Sequence, residues 1–163
     1  MVPQIKKILY ATDLSDTAKY AFGYAADMAK HYDAMITIVY VMESMNTMIE
    51  NQVKDMVGKE KWEALKSEKM NYLKQKIKSK IEDFCTEMES KIDSCRLLVE
   101  EIRIPKGNPA EEILNASKEI HADMIVMGNY GHNILQEALI GGSARTVVKN
   151  SEVPVLLIRV PKA

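Results

Sequence analysis

The stretch Met124-Ile-Val-Met-Gly128 decides the fold, because it is a short apolar run that ends directly in a glycine. Such a run predicts a buried strand. Beyond it lie Gly131 and, after nine intervening residues, Gly141-Gly142-Ser143, where residues 143–150 predict a helix capped by Ser143. Glycines between a strand and a helix amino terminus let the backbone approach a phosphate, which the helix dipole favours. The alternative is that these glycines only shape a turn.

Strand-like and helix-like segments alternate along the chain on both sides of this stretch. Short runs of apolar and β-branched residues predict strands at 7–11, 35–41, 97–104, 124–127 and 153–160. Apolar residues at helical spacing, together with capping residues, predict helices over 15–31, 108–121 and 143–150. This alternation is typical of an α/β fold with one open parallel sheet and helices on both of its faces.

Residues 43–94, between the second and third strands, are highly charged and rich in lysine. From Trp62 to Ile92 the apolar residues recur every three or four positions, which predicts one amphipathic helix of about 30 residues and about 45 Å. We expect its end to overhang the sheet. The overhang, or the methionine-rich stretch 42–56, either packs on its own chain or meets a second subunit or a ligand. No linker divides the chain, so we expect one domain, 1–163, with 43–94 as a helical insertion.

The composition is that of an ordinary globular protein: 163 residues, 47% hydrophobic, 28% charged, with a net charge of -1. This balance argues against nucleic acid or an anionic membrane as a partner. The apolar runs are too short to span a bilayer, and the amino terminus lacks a signal-peptide core, so we expect a cytoplasmic protein. Cys85 and Cys95 fit no metal or redox spacing, and we expect free thiols, with Cys85 buried. The histidines show no ligand spacing, and we predict no protein metal site.

An acidic residue, Asp13, follows the first predicted strand in Tyr10-Ala-Thr-Asp-Leu-Ser15. Either Asp13 caps the next helix, or Ser15 does so and leaves Asp13 free to accept hydrogen bonds from a ribose hydroxyl or an adenine amine. In open α/β sheets, ligands bind at the carboxyl ends of the strands where the strand order reverses. If the first and fourth strands are neighbours, Asp13 and Gly128 face the same crevice.

Five segments together resemble the universal stress protein family of the ATP-binding type. They are Lys7-Ile-Leu-Tyr-Ala-Thr-Asp-Leu-Ser15, Gly107-Asn-Pro-Ala-Glu-Glu-Ile113, residues 122–128, Gly128-x-x-Gly131-x9-Gly141 and residues 153–159. The similarity covers almost the whole chain and is weakest in 43–94. It implies a Rossmann-like sheet in the order 3-2-1-4-5 and a homodimer joined through strand 153–160. It also implies ATP, ADP or AMP in the crevice, with Mg²⁺ or Mn²⁺ as a possible companion.

Carried over by position, the resemblance implies a nucleotide site at the strand ends and the glycine loop. Its residues are Ala11, Thr12, Asp13, Val41, Met127, Gly128, Gly131, His132, Gly141, Gly142, Ser143 and Ala144. Asp13 would hold the ribose or adenine, the backbone of Val41 would line the adenine, and the glycines would admit ribose and phosphates. The family has Ser or Thr directly after the third glycine, where this chain has Gly142. Either Ser143 supplies the hydroxyl or the outer phosphate loses that ligand. His132 either approaches a phosphate or lies in a solvent-facing loop.

These residues bear on three classes of function. The favoured one is a nucleotide-binding regulatory or stress-response protein, read by an unidentified protein partner. Its ATP hydrolysis would be slow or absent, since no residue is placed as a base and no P-loop lysine follows the glycines. The second class, motivated by Gly142, is a nucleotide-free dimeric interaction module. The third, an adenylate-transferring enzyme, would need a His-x-Gly-His or Ser-Gly-Gly-x-Asp loop near the first strand, where this chain has Ala11-Thr-Asp-Leu-Ser15.

Overall fold

A computed structural model describes residues 1–88, 95–129 and 140–161 of the chain. Strands and helices alternate in it as the sequence predicts, with an additional helix after the second strand. The elements are β1 (Lys7–Ala11), α1 (Asp16–Tyr32), β2 (Met35–Val39), α2 (Thr47–Val57), α3 (Lys59–Met88), β3 (Val99–Arg103), α4 (Pro109–Glu119), β4 (Met124–Gly128), α5 (Gly142–Asn150) and β5 (Val155–Ile158).

The five strands form one parallel sheet in the order β3-β2-β1-β4-β5, which confirms the predicted topology. Ile8 of β1 is level with Ile36 of β2 on one side and with Met124 of β4 on the other. The chain winds outward from β1 toward β3 and from β4 toward β5. The strand order therefore reverses between β1 and β4, which is where an open α/β sheet leaves a crevice for a ligand.

Helices cover both faces of the sheet, because successive side chains of a strand point to opposite faces. Ile8 and Tyr10 of β1 pack with α1 and α3 on one face, where Phe22 and Ile77 are fully buried. Leu9 belongs to the core on the other face, which α4 and α5 cover. The small residues of α1 allow its close approach to the sheet: its buried positions are Ala18, Ala21, Phe22, Ala25, Ala26 and Ala29.

The insertion forms two helices, so the prediction of a single helix there is incomplete. Gly58 separates α2 from α3. Its φ of 86° is a conformation that glycine adopts without strain. The 30 residues of α3 agree with the predicted length. Burial begins only at Leu73, while Leu65 is 41% exposed, which agrees with an overhanging amino-terminal part. No helix within the described ranges is long and apolar enough to cross a lipid bilayer.

Cys85 and Cys95 form a disulfide bond, so the expectation of free thiols is wrong. Both residues are buried, and the predicted burial of Cys85 is confirmed. Cys85 lies near the end of α3, and Cys95 begins a short 3₁₀ turn, Cys95–Leu98, that leads into β3. The two Cα atoms lie 5.5 Å apart although ten positions separate them in the sequence. A spacing of ten residues contains no local signal for such a contact.

Three strands are shorter than predicted, and β3 is one of them, since it covers Val99–Arg103 and not 97–104. β2 ends at Val39, so Val41 lies beyond the strand and not at its end. β5 covers Val155–Ile158 and not 153–160, and it begins just after Pro154. Proline has no N–H to donate, so a strand with proline at its start fits the edge position that β5 occupies.

Candidate functional site

A cavity of about 860 Å³ opens at the carboxyl ends of the central strands. Its size is typical of a site for a small organic ligand. Strand ends, the amino termini of α4 and α5 and part of α3 surround it. Its lining residues are Ala11, Thr12, Asp13, Leu14, Ala18, Val39, Tyr40, Val41, Glu43, Lys76, Lys80, Pro109, Ile113, Met127, Gly128, Asn129, Gly141, Gly142, Ser143 and Ala144.

The turn between β1 and α1 holds Asp13 in a fixed position. The Leu14 N–H donates to Thr12 Oγ1 over 3.0 Å, and the Ser15 N–H donates to Asp13 Oδ1 over 3.0 Å. Ser15 Oγ accepts from the Ala18 N–H at 3.2 Å, which confirms Ser15 as the cap of α1. Asp13 is therefore not independent of the turn, in contrast to the expectation that it is free once Ser15 caps the helix, but a carboxylate that accepts one N–H keeps lone pairs for a further donor. Leu14 has φ of 63°, an uncommon conformation for a residue with a side chain, and these bonds stabilise it.

A buried tyrosine fastens α1 to the sheet beneath this turn. The Tyr10 hydroxyl donates to the backbone carbonyl of Ala18, which itself lines the cavity. Burial raises the pKa of the Tyr10 phenol above its ordinary range, because the phenolate would lose its hydration. The neutral hydroxyl is therefore the stable form, and it remains available as a donor.

The backbone of Val41 faces the cavity. Tyr40 and Met42 donate their N–H groups to the β3 side, to the carbonyls of Arg103 and Pro105 at 2.9 and 2.8 Å. Since successive residues of an extended chain direct their polar groups to opposite sides, the N–H and C=O of Val41 point toward β1. β1 ends its pairing there, because the Thr12 N–H donates to the Val39 carbonyl and the chain then turns away. A donor and an acceptor are thus presented side by side to a ligand.

The amino terminus of α5 also opens into the cavity. The helix begins at Gly142 with Gly141 as its N-cap, so the prediction of Ser143 as the cap is wrong. No side chain within the described ranges caps it, and the first intrahelical bond runs from the Arg145 N–H to the Gly141 carbonyl at 2.9 Å. The N–H groups of residues 142–144 have no acceptor within the helix, and the helix dipole adds positive potential. This end of the cavity favours an anion.

Backbone hydrogen bonds join Asn129, which follows β4, to β5 and to the N-cap of α5. The Asn129 N–H donates to the Ile158 carbonyl, and the Gly141 N–H donates to the Asn129 carbonyl, both at 2.9 Å. Gly128 lines the cavity, but its lack of a side chain has another cause as well. A Cβ atom at Gly128 would lie 2.8 Å from Thr17 Cγ2 of α1, so helix packing itself requires glycine. At Gly142, by contrast, a Cβ would meet no heavy atom of the described residues within 4 Å.

The structure brings ten of the twelve predicted site residues to this one cavity, namely Ala11, Thr12, Asp13, Val41, Met127, Gly128, Gly141, Gly142, Ser143 and Ala144. Gly131 and His132 lie outside the described residues. Whether the ten bind a nucleotide stays a prediction. The sequence argument missed Pro109. It is the first residue of a helix that follows a strand, and this position could have placed it at the carboxyl edge of the sheet. The same argument also missed Glu43, Lys76 and Lys80, for which the charged insertion contains no distinguishing local signal.

Charged residues of both signs line the cavity: Asp13 and Glu43 are acidic, and Lys76 and Lys80 are basic. Neither lysine forms an ion pair with a residue that the structure describes. Across the described parts of the chain, no three His, Cys, Asp or Glu side chains are grouped to hold a metal ion. The arrangement suits an organic ligand with an anionic group.

Comparison with known proteins agrees with this geometry. The model of the universal stress protein family matches residues 4–159. Universal stress protein MJ0531 of Methanocaldococcus jannaschii is 32% identical over 160 residues, which cover 96% of this chain and 84% of the relative. The solved structure of hypothetical protein MJ0577, from the same organism, has a TM-score of 0.71 at 26% identity and covers 99% of this chain and 100% of that chain.

A universal stress protein from Archaeoglobus fulgidus, solved in complex with dAMP, has a TM-score of 0.58 at 16% identity. The alignment covers 95% of this chain and 98% of that chain, and it shows a shared fold alone. The family model, by contrast, spans nearly the whole sequence, including the strand ends and the glycines around the cavity. The chain belongs to the universal stress protein family.

Proposed function

We propose that this protein binds an adenine nucleotide in the cavity at the strand ends and acts as a regulatory, stress-response module. One observation carries the proposal: a fixed carboxylate at Asp13, the outward backbone of Val41 and the first turn of α5 surround the same cavity. The solved family member in complex with dAMP adds support, since its ligand is an adenine nucleotide.

Each part of an adenine nucleotide has a complementary group in the cavity. Adenine offers an amine donor and ring-nitrogen acceptors, which match the C=O and N–H of Val41. The Asp13 carboxylate accepts from a ribose hydroxyl or from the amine. The N–H groups at the start of α5 bind phosphate. ATP, ADP and AMP share these parts, and ATP is the ligand that we propose.

A divalent cation in this site would reach the protein through the phosphates. Mg²⁺ typically keeps several waters and binds substrate phosphates with one or two carboxylates, so a protein cage of ligands is not required. We propose Mg²⁺ or Mn²⁺ as a companion of ATP. Titration of ATP with and without each ion, with AMP as the comparison, tests this: a gain in affinity for ATP but not for AMP is expected.

We propose that hydrolysis of the bound nucleotide is slow or absent. The Asp13 carboxylate is held by the turn, and Gly141-Gly142-Ser143 has serine where a P-loop has lysine after its glycine. Release of inorganic phosphate from ATP by the purified protein measures this directly. Turnover at about 1 s⁻¹ or faster, within the ordinary range of enzymes, would contradict the proposal.

Calorimetric titration with ATP, ADP, AMP and cyclic AMP tests nucleotide binding. Asp13→Ala should weaken affinity by about 1–3 kcal/mol, because a ligand hydroxyl or amine loses its acceptor. Asp13→Asn is the matched control for the turn, since its amide oxygen still accepts from the Ser15 N–H. We expect Asp13→Asn to retain the stability of the fold and still to lose nucleotide affinity. Full affinity in both variants would show that Asp13 serves only the turn.

A nucleotide-free interaction module is the second candidate, favoured by Gly142 in the place of the family's Ser or Thr. The same titration separates the two functions. Absence of binding by all four nucleotides up to millimolar concentration would favour the interaction module. Denaturing the purified protein and identifying any released nucleotide by mass gives an independent answer.

We also propose a homodimer joined through the carboxy-terminal strand, residues 153–160. Its core, β5, is an edge strand, and the carbonyls of Ile158 and of the preceding Pro154 accept from the N–H groups of Asn129 and Ile125 on the β4 side. By alternation, the polar backbone groups of Val155 and Leu157 point away from the sheet, and a second copy can pair with them. Light scattering on a size-exclusion column should give twice the chain mass, and a monomer at micromolar concentration would contradict the dimer.

We place this one-domain protein in the cytoplasm and expect a protein partner that recognises its nucleotide state. Disulfides are uncommon in cytosolic proteins, and the Cys85–Cys95 bond would be an exception in that compartment. Fractionation of cells with an antibody to the protein tests the location. Capture of a partner in the presence of ATP, but not in its absence, tests the regulatory role.

A further inference from the structure

The long insertion helix α3 contributes to the cavity through Lys76 and Lys80. The two lysines are one helical turn apart and therefore share a face of α3. Ile77 and Ile81, each the next residue in the chain, are buried at 0% and 5% exposure. The backbone that carries the lysines is thus anchored on the sheet, and both exposed lysines border the cavity from this fixed base.

These lysines lie on the face of the sheet opposite α5. α3 packs with α1 in the core on one face, while α5 packs with α4 on the other. The cavity is therefore bordered by two positively charged regions, the first turn of α5 and the lysine pair of α3. Asp13 and Glu43 also line it, so charged residues of both signs border the cavity.

We propose that Lys76 and Lys80 form a second anion subsite that binds a phosphate group of the nucleotide. This inference rests on the proposed nucleotide binding. Two ammonium groups without an ion-pair partner among the described residues can each donate to phosphate oxygens, and such charge-assisted bonds are stronger than neutral ones. The phosphate has two possible sources: the end of the 5′-phosphate chain, or a separate phosphate such as one on the ribose 3′ oxygen.

The chain contains a matched control for this pair. Lys74 and Lys78 have the same spacing on the same helix and are also exposed, but they do not line the cavity. The experiment compares wild type with the double variants K76Q/K80Q and K74Q/K78Q. Glutamine keeps much of the side-chain length and removes the charge, and both variants change the net charge by the same amount.

Calorimetric titration of the three proteins with adenosine, AMP, ATP and adenosine 3′,5′-bisphosphate tests the subsite. We expect K76Q/K80Q to bind adenosine as wild type does and to lose about tenfold in affinity for ATP or for the bisphosphate. Loss for ATP assigns the lysines to the 5′ chain, and loss for the bisphosphate assigns them to the 3′ phosphate. K74Q/K78Q should change each affinity by less than about twofold.

Two results would overturn the subsite. Equal behaviour of the two double variants would mean that Lys76 and Lys80 act only as part of a solvated, basic helix. An equal loss for adenosine and for the phosphorylated ligands would mean that the lysines only balance the carboxylates of the cavity. Failure of wild type to bind any of the four compounds would instead refute the proposed function, and the inference with it.

Discussion

The substitution Gly128→Ala tests whether helix packing requires glycine at the end of β4. The added Cβ would lie 2.8 Å from Thr17 Cγ2, whereas carbon atoms pack best at about 3.5–4.0 Å. Thr17 has little freedom to rotate, because β-branched side chains in helices are restricted at χ1. α1 cannot shift freely either, since the Ser15 cap and the bond from Tyr10 to Ala18 hold its first turns.

The expected cost follows from two opposing effects. Overpacking of this kind destabilises proteins by about 1–3 kcal/mol. Replacing glycine with alanine in a compatible backbone conformation stabilises by about 0.4–1 kcal/mol through the unfolded chain. We therefore expect Gly128→Ala to lower the free energy of unfolding by about 0.5–2 kcal/mol, as measured by urea denaturation followed by circular dichroism.

Thr17→Ser gives the deciding comparison, because it removes Cγ2 alone. The next atoms, Thr17 Cβ and the Thr17 carbonyl carbon, lie 3.6 and 3.7 Å from the added Cβ, which is ordinary contact. In the Thr17→Ser background, Gly128→Ala should therefore become neutral or stabilising. We expect the double variant to bind nucleotide as wild type does. A loss of stability that is the same in both backgrounds would refute the packing argument, and lost affinity in a stable double variant would show that the ligand itself requires glycine.

Three further predictions concern the site and its support. Gly142→Ser should leave the free energy of unfolding within about 0.5 kcal/mol, since an added Cβ meets no atom of a described neighbouring element within 4 Å. A hydroxyl beside the phosphates should raise the ratio of ATP to AMP affinity by about three- to tenfold. Replacing Cys85 and Cys95 by serine removes a disulfide that closes a loop of ten residues. The free energy of unfolding, measured by urea denaturation, should fall by about 3 kcal/mol. Tyr10→Phe removes the bond to the Ala18 carbonyl and should cost about 1 kcal/mol at pH 7. Because burial raises the pKa of Tyr10 above its ordinary 10.0, the unfolded chain ionises first, and wild-type stability should fall above about pH 10 more steeply than that of Tyr10→Phe.

Each of these has an outcome that contradicts it. An unchanged ATP-to-AMP ratio in Gly142→Ser would show that no phosphate reaches the first residue of α5. Wild-type protein with the same stability in reducing and non-reducing buffer would show that the disulfide does not contribute. Equal slopes of stability against pH above pH 10 for wild type and Tyr10→Phe would show that Tyr10 ionises normally in the folded protein.

Local patterns predict most of the strands and helices of this chain. Ser15 and Asn108 each accept the N–H three residues ahead, as their positions before apolar helical runs indicate. Such capping and periodicity depend on neighbours within one turn, so a single sequence contains them. The same reasoning misplaced the start of α5, because Ser143 and the preceding glycines are both acceptable caps. The Gly141 N–H donates to the Asn129 carbonyl, which lies well before it in the sequence, and this bond favours a helix start at Gly142.

The sequence by itself determined the family, the order of elements and the gathering of Asp13 and the glycines at one end of the sheet. These follow from local periodicity and from the geometry of parallel strands, whose carboxyl ends share an edge. Only the tertiary structure decided that Cys85 bonds to Cys95, that Thr17 excludes a side chain at Gly128, and that Lys76 and Lys80 line the cavity. Each of these depends on how a helix lies against a neighbouring segment, and the packing of whole elements sets such distances. A lysine in a charged helix looks the same in sequence whether it faces solvent or a ligand.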